Sequence, residues 1–571
     1  MSANAKPALT ITETDEVDTP LATYLYSETV TATGQNKRSD GGETVLKGRV
    51  DVVPPELTAP SAATAPSAST ITSMFTSLLN VFLPAGYPHS VSKDYLEYQI
   101  YDSIQAFSSS IAGLLSSRAV LQGVGVGDAA ASPTSALLLH ILQDSSGRIA
   151  TILFAHRLGT ALEPECKMYR LAADIFNDLA MVLDCLSPLI RPGAARVAIL
   201  SGAGVLRALC GVAGGSSKAS LSAHFAKWGN IGELNAKDSS QETIISLLGM
   251  LVGSIVVSHV TSLPVTWTAL IFLLFLHLGT NYRAVRAVQM TSLNRQRANI
   301  VFSTLLSSDP KLDLVERQFR HEEEDDKNEK RDRDSTISTS GSTKPCRRVL
   351  RPDEVASLER IFERDGVLRW ISSSSSETPQ QSWWSTSAKL GYCRIGVSLR
   401  ELLSLLQEPP PSSLFSMSRP AASINTDSSL LLLRRLTELF ASEAYLLFFS
   451  SARTRTATNL RAAIILKQGC TPVLQLKAWA HALLAARVLS LSSSSSSKNQ
   501  RRKQKRKNQA PSVTEGSDDN KQHILNVVAH TLSFLNENAL FEQYARELTA
   551  AGWDLDIAAL ETRPGRRIQI K

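Results

Sequence analysis

The chain has 571 residues, of which 43% are hydrophobic and 20% charged, with a formal net charge of +7. That length predicts two or three domains and excludes a small disulfide-stapled scaffold, since the six cysteines are scattered and none forms a C-x-x-C pair. The basic excess is concentrated in "RRKQKRK" at 501–507, a Ser/Asn/Gln-rich context without aromatics, so a nucleic-acid partner is not expected.

Residues 1–70 are rich in Thr, Ala, Ser and Pro and read as disordered, with one short strand near "TVLKGRV". The N-terminus lacks a basic and an apolar region and carries Glu13, Asp15, Glu16 and Asp18. Neither a secretory signal nor a transit peptide is expected there. From 71 to 308 the pattern is apolar helices joined by Gly/Pro turns, expected near 94–121, 133–159, 166–187, 194–212, 217–227, 240–260 and 265–306. Dense mixed charge at 309–347 marks a linker. Residues 348–571 read as a smaller α+β domain, with a strand pair at "YLLFFS" and "AAIILKQG" and helices at 472–490 and 521–551. Low-complexity inserts at 371–387 and 491–520 interrupt it. The expected class is mainly α: an apolar multi-helix bundle followed by this α+β domain.

From Thr243 to Tyr282 there is no Asp, Glu, Lys or Arg. Pro264 divides the stretch into two runs of about 18 residues, each roughly 27 Å long as a helix and close to the hydrocarbon thickness of a bilayer. Trp267 and Leu274 lie in the second run; Gly249 and Gly253 in the first have the G-x-x-x-G spacing that lets helices approach closely. One span, a hairpin, or a buried soluble pair of helices all fit. Arg283, Arg286, Arg295 and Arg297 follow, so that end is expected on the cytoplasmic or equivalent side. His259 and His277 inside the runs read as hydrogen-bonded core histidines.

Possible chemistry is sparse. "GVGVGD" ends in Asp128 and lacks a preceding strand, so it reads as an inter-helix turn with Asp128 as a cap. Asp174 and Asp178 stand at i,i+4 on one helix face, suited to acid–base work, to a metal, or to a polar seam partnered by Arg157, Lys167 or Arg170. No H-x-x-E accompanies them, so no metal site is expected. In "NAKDSSQET" (235–243), Ser239 and Glu242 have capping-box spacing and would start the chargeless helix. Asp238 and Glu242 would also suit the positive end of that helix; the cap leaves Lys237 and Gln241 without a role, and what Lys237, Asp238 and Gln241 touch beyond their own helix is open. No catalytic motif is found.

Three strings together resemble the root UVB sensitive (RUS) family: "FLPAGYPHSVSKDYLEYQIYDSIQAF", "GRIATILFAHRLGTALEPECKMYRLAADIFNDLAMVLDCLSP" and "GVAGGSSKASLSAHFAKWGNIGELNAKDSSQETIISLLGMLVG". "GCTPVLQLKAWAHALL" and "ELTAAGWDLD" extend the resemblance toward the C-terminus. It implies links to vitamin B6 homeostasis, UV-B responses and seedling development, a protein partner such as a RUS paralogue, and association with membrane lipid. Pyridoxal phosphate is implied by family association alone; no cofactor is identified in the sequence itself. The acidic N-terminus departs from plastid-targeted members. The expectation is a membrane-associated, non-enzymatic protein acting through protein contacts. A small-molecule transporter and an enzyme of B6 metabolism, using Lys218 or Lys237, are the rivals.

Overall fold

The computed structural model describes residues 9–14, 20–32, 44–53, 82–124, 133–312, 347–371, 387–406, 427–453, 458–504 and 516–570. Asp128, most of the charged linker, and insert residues 372–386 and 505–515 lie outside them; the rest of the second insert is helical, contrary to expectation, as parts of the helices Pro472–Gln504 and Gly516–Asn536. Near the N-terminus, strands β1 (Leu9–Thr14), β2 (Pro20–Ala32) and β3 (Thr44–Val53) form an antiparallel sheet in that order. Only the third was anticipated by the pattern of "TVLKGRV".

Six long helices follow: α1 (Tyr95–Val124), α2 (Pro133–Leu158), α3 (Cys166–Leu186), α4 (Ala194–Phe225), α5 (Ile231–His259) and α6 (Leu263–Ala287). They run up and down, and α1 lies at the centre, packed on α3, α5 and α6. Helix α4 is continuous where a break was expected between 212 and 217. Its glycines do not turn the chain: a Cβ on Gly214 would stand 3.6 Å from Ala173 Cβ on α3, while Gly211 and Gly215 face open space. Likewise α5 begins at Ile231, not near 240. Ser239 and Glu242 are therefore in the helix interior, and the expected capping box does not form; Asn230 occupies the N-cap.

The long helix expected over 265–306 is two helices. α6 ends at Ala287, and α7 (Arg295–Ser307) restarts after Asn294, whose side chain accepts the Arg297 N–H at 2.9 Å. That cap supplies the stop that apolar periodicity conceals.

Helix α7 is buried on nearly every side in the C-terminal core. Around it stand α8 (Pro352–Leu358), β4 (Val367–Ile371), β5 (Ser387–Ile395), α9 (Leu399–Leu406), α10 (Asp427–Leu439), β6 (Tyr445–Arg453), β7 (Thr458–Lys467), α11 (Pro472–Gln504), α12 (Gly516–Asn536), α13 (Leu540–Ala550) and β8 (Arg567–Ile568). The sheet order is β4-β5-β7-β6, with β8 parallel to β7. The anticipated pair is β6 and β7, antiparallel with Leu447 opposite Ile464. Strands β4 and β5 were not anticipated: a Ser-rich stretch separates them, and Gly391 and Lys389 weaken the alternation in β5. Asn299 ties α7 in place, donating to Val367 O at 2.7 Å and accepting from Trp479 Nε1 at 3.0 Å.

Helices α4, α5 and α6 are each long and apolar enough to cross a membrane, and only 17%, 11% and 22% of their most apolar stretches is buried inside the protein. The outward side chains are large: Leu247 and Leu251 on α5, and Ile271, Phe272 and Phe275 on α6, the last 79% exposed. Helix α4 is a third candidate beyond the two runs marked in the sequence. Trp267 and Leu274 face inward, packed with Ala112 of α1 and Met181 of α3.

Gly249 and Gly253 bring α5 onto α1. A Cβ on Gly249 would lie 2.7 Å from Ser110 Cβ and 2.9 Å from Phe107 O, whereas nothing stands within 4 Å at Gly232. Gly249→Val should therefore destabilise the protein by about 1–3 kcal/mol through overpacking. Gly232→Ala should be close to neutral in the same thermal unfolding measurement.

Candidate functional site

In an apolar bundle, the informative residues are the polar ones turned inward. Helix α1 presents a row of them to its neighbours: Gln99, Asp102, Gln105, Ser108 and Ser116 are all buried. Asp102, Gln105 and Ser116 turn toward α3, where they meet Arg170, Asp174 and Asp184, and Gln99 turns toward Asp238 of α5, so α1 carries a polar seam through the bundle.

At the centre of the seam stands Arg170 of α3. Its guanidinium donates to Asp102 at 2.8 Å, to Asp174 at 3.0 Å and to Gln105 Oε1 at 3.1 Å, and its Nε reaches the Tyr98 hydroxyl at 3.3 Å. The Oε1 contact fixes the Gln105 amide. Its Nε2 then donates to Asp174 Oδ2 at 2.7 Å and faces His277 Nε2 at 3.2 Å. An amide donor at Nε2 leaves the imidazole proton on Nδ1. That nitrogen lies 2.7 Å from Asp178 Oδ1, but off the line of a good hydrogen bond, and neither Asp178 oxygen has an aligned donor among the described residues. Asn281 completes the group by donating to Asp174.

The structure thus brings Asp174 and Asp178 together with His277, which had read as a plain core histidine. It also recruits Asp102, Gln105 and Asn281, which the sequence reading passed over. Gln105 and Asn281 belong to no motif, and their only sequence signal is position: a polar residue on an otherwise apolar helix, repeating at helical spacing. His259 goes elsewhere; it is exposed and its Nδ1 contacts Ile255 O of its own helix.

A second cluster surrounds the string "NAKDSSQET". Lys218 of α4 lies 2.6 Å from Asp238 and 2.7 Å from Glu242. Gln99 donates to Asp238 and to Gln241 Oε1, both at 2.8 Å, and Gln241 donates to Phe82 O at 2.6 Å. Lys237 is half-buried on the adjoining turn. This cluster fastens four elements: α1, α4, α5 and the loop that opens "FLPAGYPHS". In that loop Gly86 has φ +68°, and a Cβ there would meet the Trp228 ring at 2.3 Å. Only glycine satisfies both demands. Gln99 lies one turn from Asp102, so the two clusters are stations on the same seam.

The seam's far end holds Asp184, which accepts from Ser116 at 2.8 Å and pairs with Arg207. At the near end Asp94, just before α1, accepts from His224 at 3.0 Å and from the Gln289 N–H at 2.6 Å. Burial pushes the Asp94 carboxyl up, but the His224 contact, the Ser92 hydroxyl and the Gln289 N–H outweigh it and hold the group at about 2.

Buried charge also joins the bundle to the C-terminal half. Glu359 meets Lys167 of α3 at 2.6 Å and Arg297 of α7 at 2.7 Å. Burial would raise the Glu359 carboxyl, and the two cations hold it below its usual range. Arg286 at the end of α6 donates to the carbonyls of Glu359 and Ser357. Among the described residues no group of three or more His, Cys, Asp or Glu side chains is arranged to hold a metal ion.

An up-and-down helical bundle with an apolar exterior, a polar seam around one arginine and a sheet-containing half locked to one end is the class of protein that fold and site define. Two family models match the chain. Residues 68–309 match the vitamin B6 photo-protection and homoeostasis domain, and residues 428–564 match the root UVB sensitive protein C-terminal domain. The chain is 46% identical over 235 residues to RUS family member 1 of Dictyostelium discoideum, covering 40% of this chain and 44% of the relative. It is 36% identical over 232 residues to protein root UVB sensitive 3 of Arabidopsis thaliana, covering 40% and 52%. With root UVB sensitive 2, chloroplastic, of the same plant it shares 26% over 304 residues, covering 52% and 66%. The chain belongs to the root UVB sensitive family. The first two matches span about half of those relatives' lengths. No solved structure matches it.

Asp94→Asn tests the near end of the seam. A carboxyl held at about 2 stabilises the fold above its unfolded value near 4 and loses that contribution as pH falls through 2. The substitution should lower stability by about 2 kcal/mol at neutral pH and flatten the acid limb of the unfolding curve.

Proposed function

We propose that the chain is an integral membrane protein of vitamin B6 homeostasis and UV-B-related physiology, and that it acts through contacts with other proteins, without catalysis of its own. What supports the membrane part is the outward face of α4, α5 and α6, whose most apolar stretches are at most 22% buried. Apolar area of this extent has no solvent-compatible role in a monomer, and lipid is the occupant that span-length helices are built for. In this reading the arginines at the end of α6 and the start of α7 lie on the cytoplasmic or equivalent side, and the C-terminal half, which is locked to that end by Glu359, stands clear of the bilayer and carries the protein contacts.

The pathway assignment rests on the family models and on the names of the relatives. The rival reading as an enzyme of B6 metabolism gains nothing from Lys218. Its ammonium group is engaged by Asp238 and Glu242, and a Schiff base there would break both ion pairs.

A carrier reading is favoured by one observation: Asp178 and His277 lie near mid-length of α3 and α6 with an imperfectly satisfied carboxylate between them. Ionisable residues inside a membrane mark ion or substrate paths. Liposomes containing the protein should then take up a B6 vitamer, and Asp178→Asn should abolish the uptake. Uptake no greater than in empty liposomes removes the carrier reading and leaves the protein-contact reading standing.

The membrane reading is tested by alkaline carbonate extraction. The full-length protein should stay with the membrane pellet. Release into the supernatant overturns the spanning assignment.

A further inference from the structure

Away from the bundle seam, the C-terminal half contains a cavity of about 350 Å³. It opens between the end of β5, the turn Gly396–Ser398 that leads into α9, and the chain at 562–566; Arg295 of α7 also lines it. Two glycines hold these walls together. Gly396 has φ +71°, and a Cβ there would stand 2.6 Å from Glu561 Oε2 and 3.2 Å from Gly565 Cα. The Arg566 N–H donates to Gly396 O at 3.1 Å, which closes the turn against the C-terminal segment.

The lining is strongly basic. Arg295, Arg394, Arg563 and Arg566 face two carboxylates, Asp365 and Glu401. Arg394 pairs with Glu401, and Arg295 pairs with Asp365 and with Glu165. Arg563 and Arg566 are exposed and have no carboxylate partner among the described residues. Arg295 is buried, and its Nε has no acceptor although both terminal nitrogens do. Ser398 caps α9, its Oγ accepting the Glu401 N–H at 3.2 Å. The first N–H groups of that helix, at Leu399 and Arg400, are among those a helix leaves without internal acceptors.

Two exposed guanidinium groups without carboxylate partners, Arg563 and Arg566, share one cavity with Arg295, Arg394 and Ser398, the residue that caps α9. We infer that this cavity binds a phosphate-bearing molecule, with Arg563 and Arg566 as its principal contacts. Guanidinium forks match phosphate oxygens in pairs. The volume exceeds that of a bare phosphate, so the site also accepts part of the group that carries it. Phosphate of this kind comes either from a soluble phosphoester or from a phospholipid headgroup. This inference does not depend on the membrane or pathway assignments.

The test is thermal unfolding of the full chain, since a ligand that binds only the native state raises Tm. In mild detergent, inorganic phosphate and glycerol 3-phosphate are each compared with chloride at equal ionic strength. In reconstituted bilayers, phosphatidylcholine is compared with phosphatidylcholine containing phosphatidic acid. The variant R563Q/R566Q alters exposed side chains, and R546Q serves as a control arginine outside the cavity. A Tm rise with the soluble phosphates that is lost in R563Q/R566Q and kept in R546Q supports a soluble phosphoester, with affinity falling roughly tenfold or more. A rise seen only with phosphatidic acid, and lost in the same variant, supports a headgroup. No rise in any arm, or a rise that R563Q/R566Q leaves unchanged, overturns the site.

Discussion

Arg170 imposes the constraint that the bundle is organised around. A guanidinium has five donors and cannot shed its charge. Among apolar helices each of those donors needs an acceptor, because an unpaired buried cation is severely unfavourable. Tyr98, Asp102 and Gln105 provide them from α1, and Asp174 provides them from the same helix. Meeting all of these contacts fixes the rotation of α1 about its axis and its height against α3. Asp174 and Gln105 then pass the constraint to α6 through Asn281 and His277. Such a network contributes less to net stability than to specificity of arrangement. Apolar helices slide readily over one another, and directional polar contacts select one register.

The large-scale plan was legible because it is written in periodicity and composition. Helix positions, the class, and the β6–β7 pair follow from apolar spacing alone. Boundaries failed where the local chemistry was ambiguous. Two adjacent glycines in "GVAGGSSK" look like a turn, yet α4 runs straight through them, with Gly214 against Ala173 of α3 and Gly215 in open space. Ser239 and Glu242 look like a helix start, yet the helix is already two turns old. The site was half legible. Asp174 and Asp178 stood out as a charged pair with Arg170 as a candidate partner on the same helix, but Gln105 lies two helices before them and His277 and Asn281 three helices after, and pairing across that distance leaves no mark in one chain. Asp238 looked like a charge suited to a helix start, and Gln241 was visible only as a residue that the capping argument could not use. The structure shows why: they reach across to Gln99 and Lys218.

Charge is distributed so that the two ends of the bundle differ. The end that carries Asp94, His224, Lys167 and Arg286 is dense in ion pairs and joins the sheet-containing half. The flanks of α5 and α6 carry none over forty residues. Family membership therefore meets a physical layout, an apolar belt with a polar interior and a polar platform, without a reactive constellation being needed to explain the buried groups.

Helix α7 has a further consequence. Similarity to the family's first domain continues to residue 309 and so includes it. Its packing is with the other half: Ile300, Val301, Phe302, Leu305 and Leu306 are all in the C-terminal core. A chain cut in the linker after 309 would strand that helix with its apolar surface uncovered, and the severed C-terminal piece would lack the rod its sheet wraps. Similarity boundaries and cooperative units do not coincide here. Fragments divided before α7, with Arg297 kept beside Glu359, respect the packing; fragments divided by resemblance are set up for aggregation.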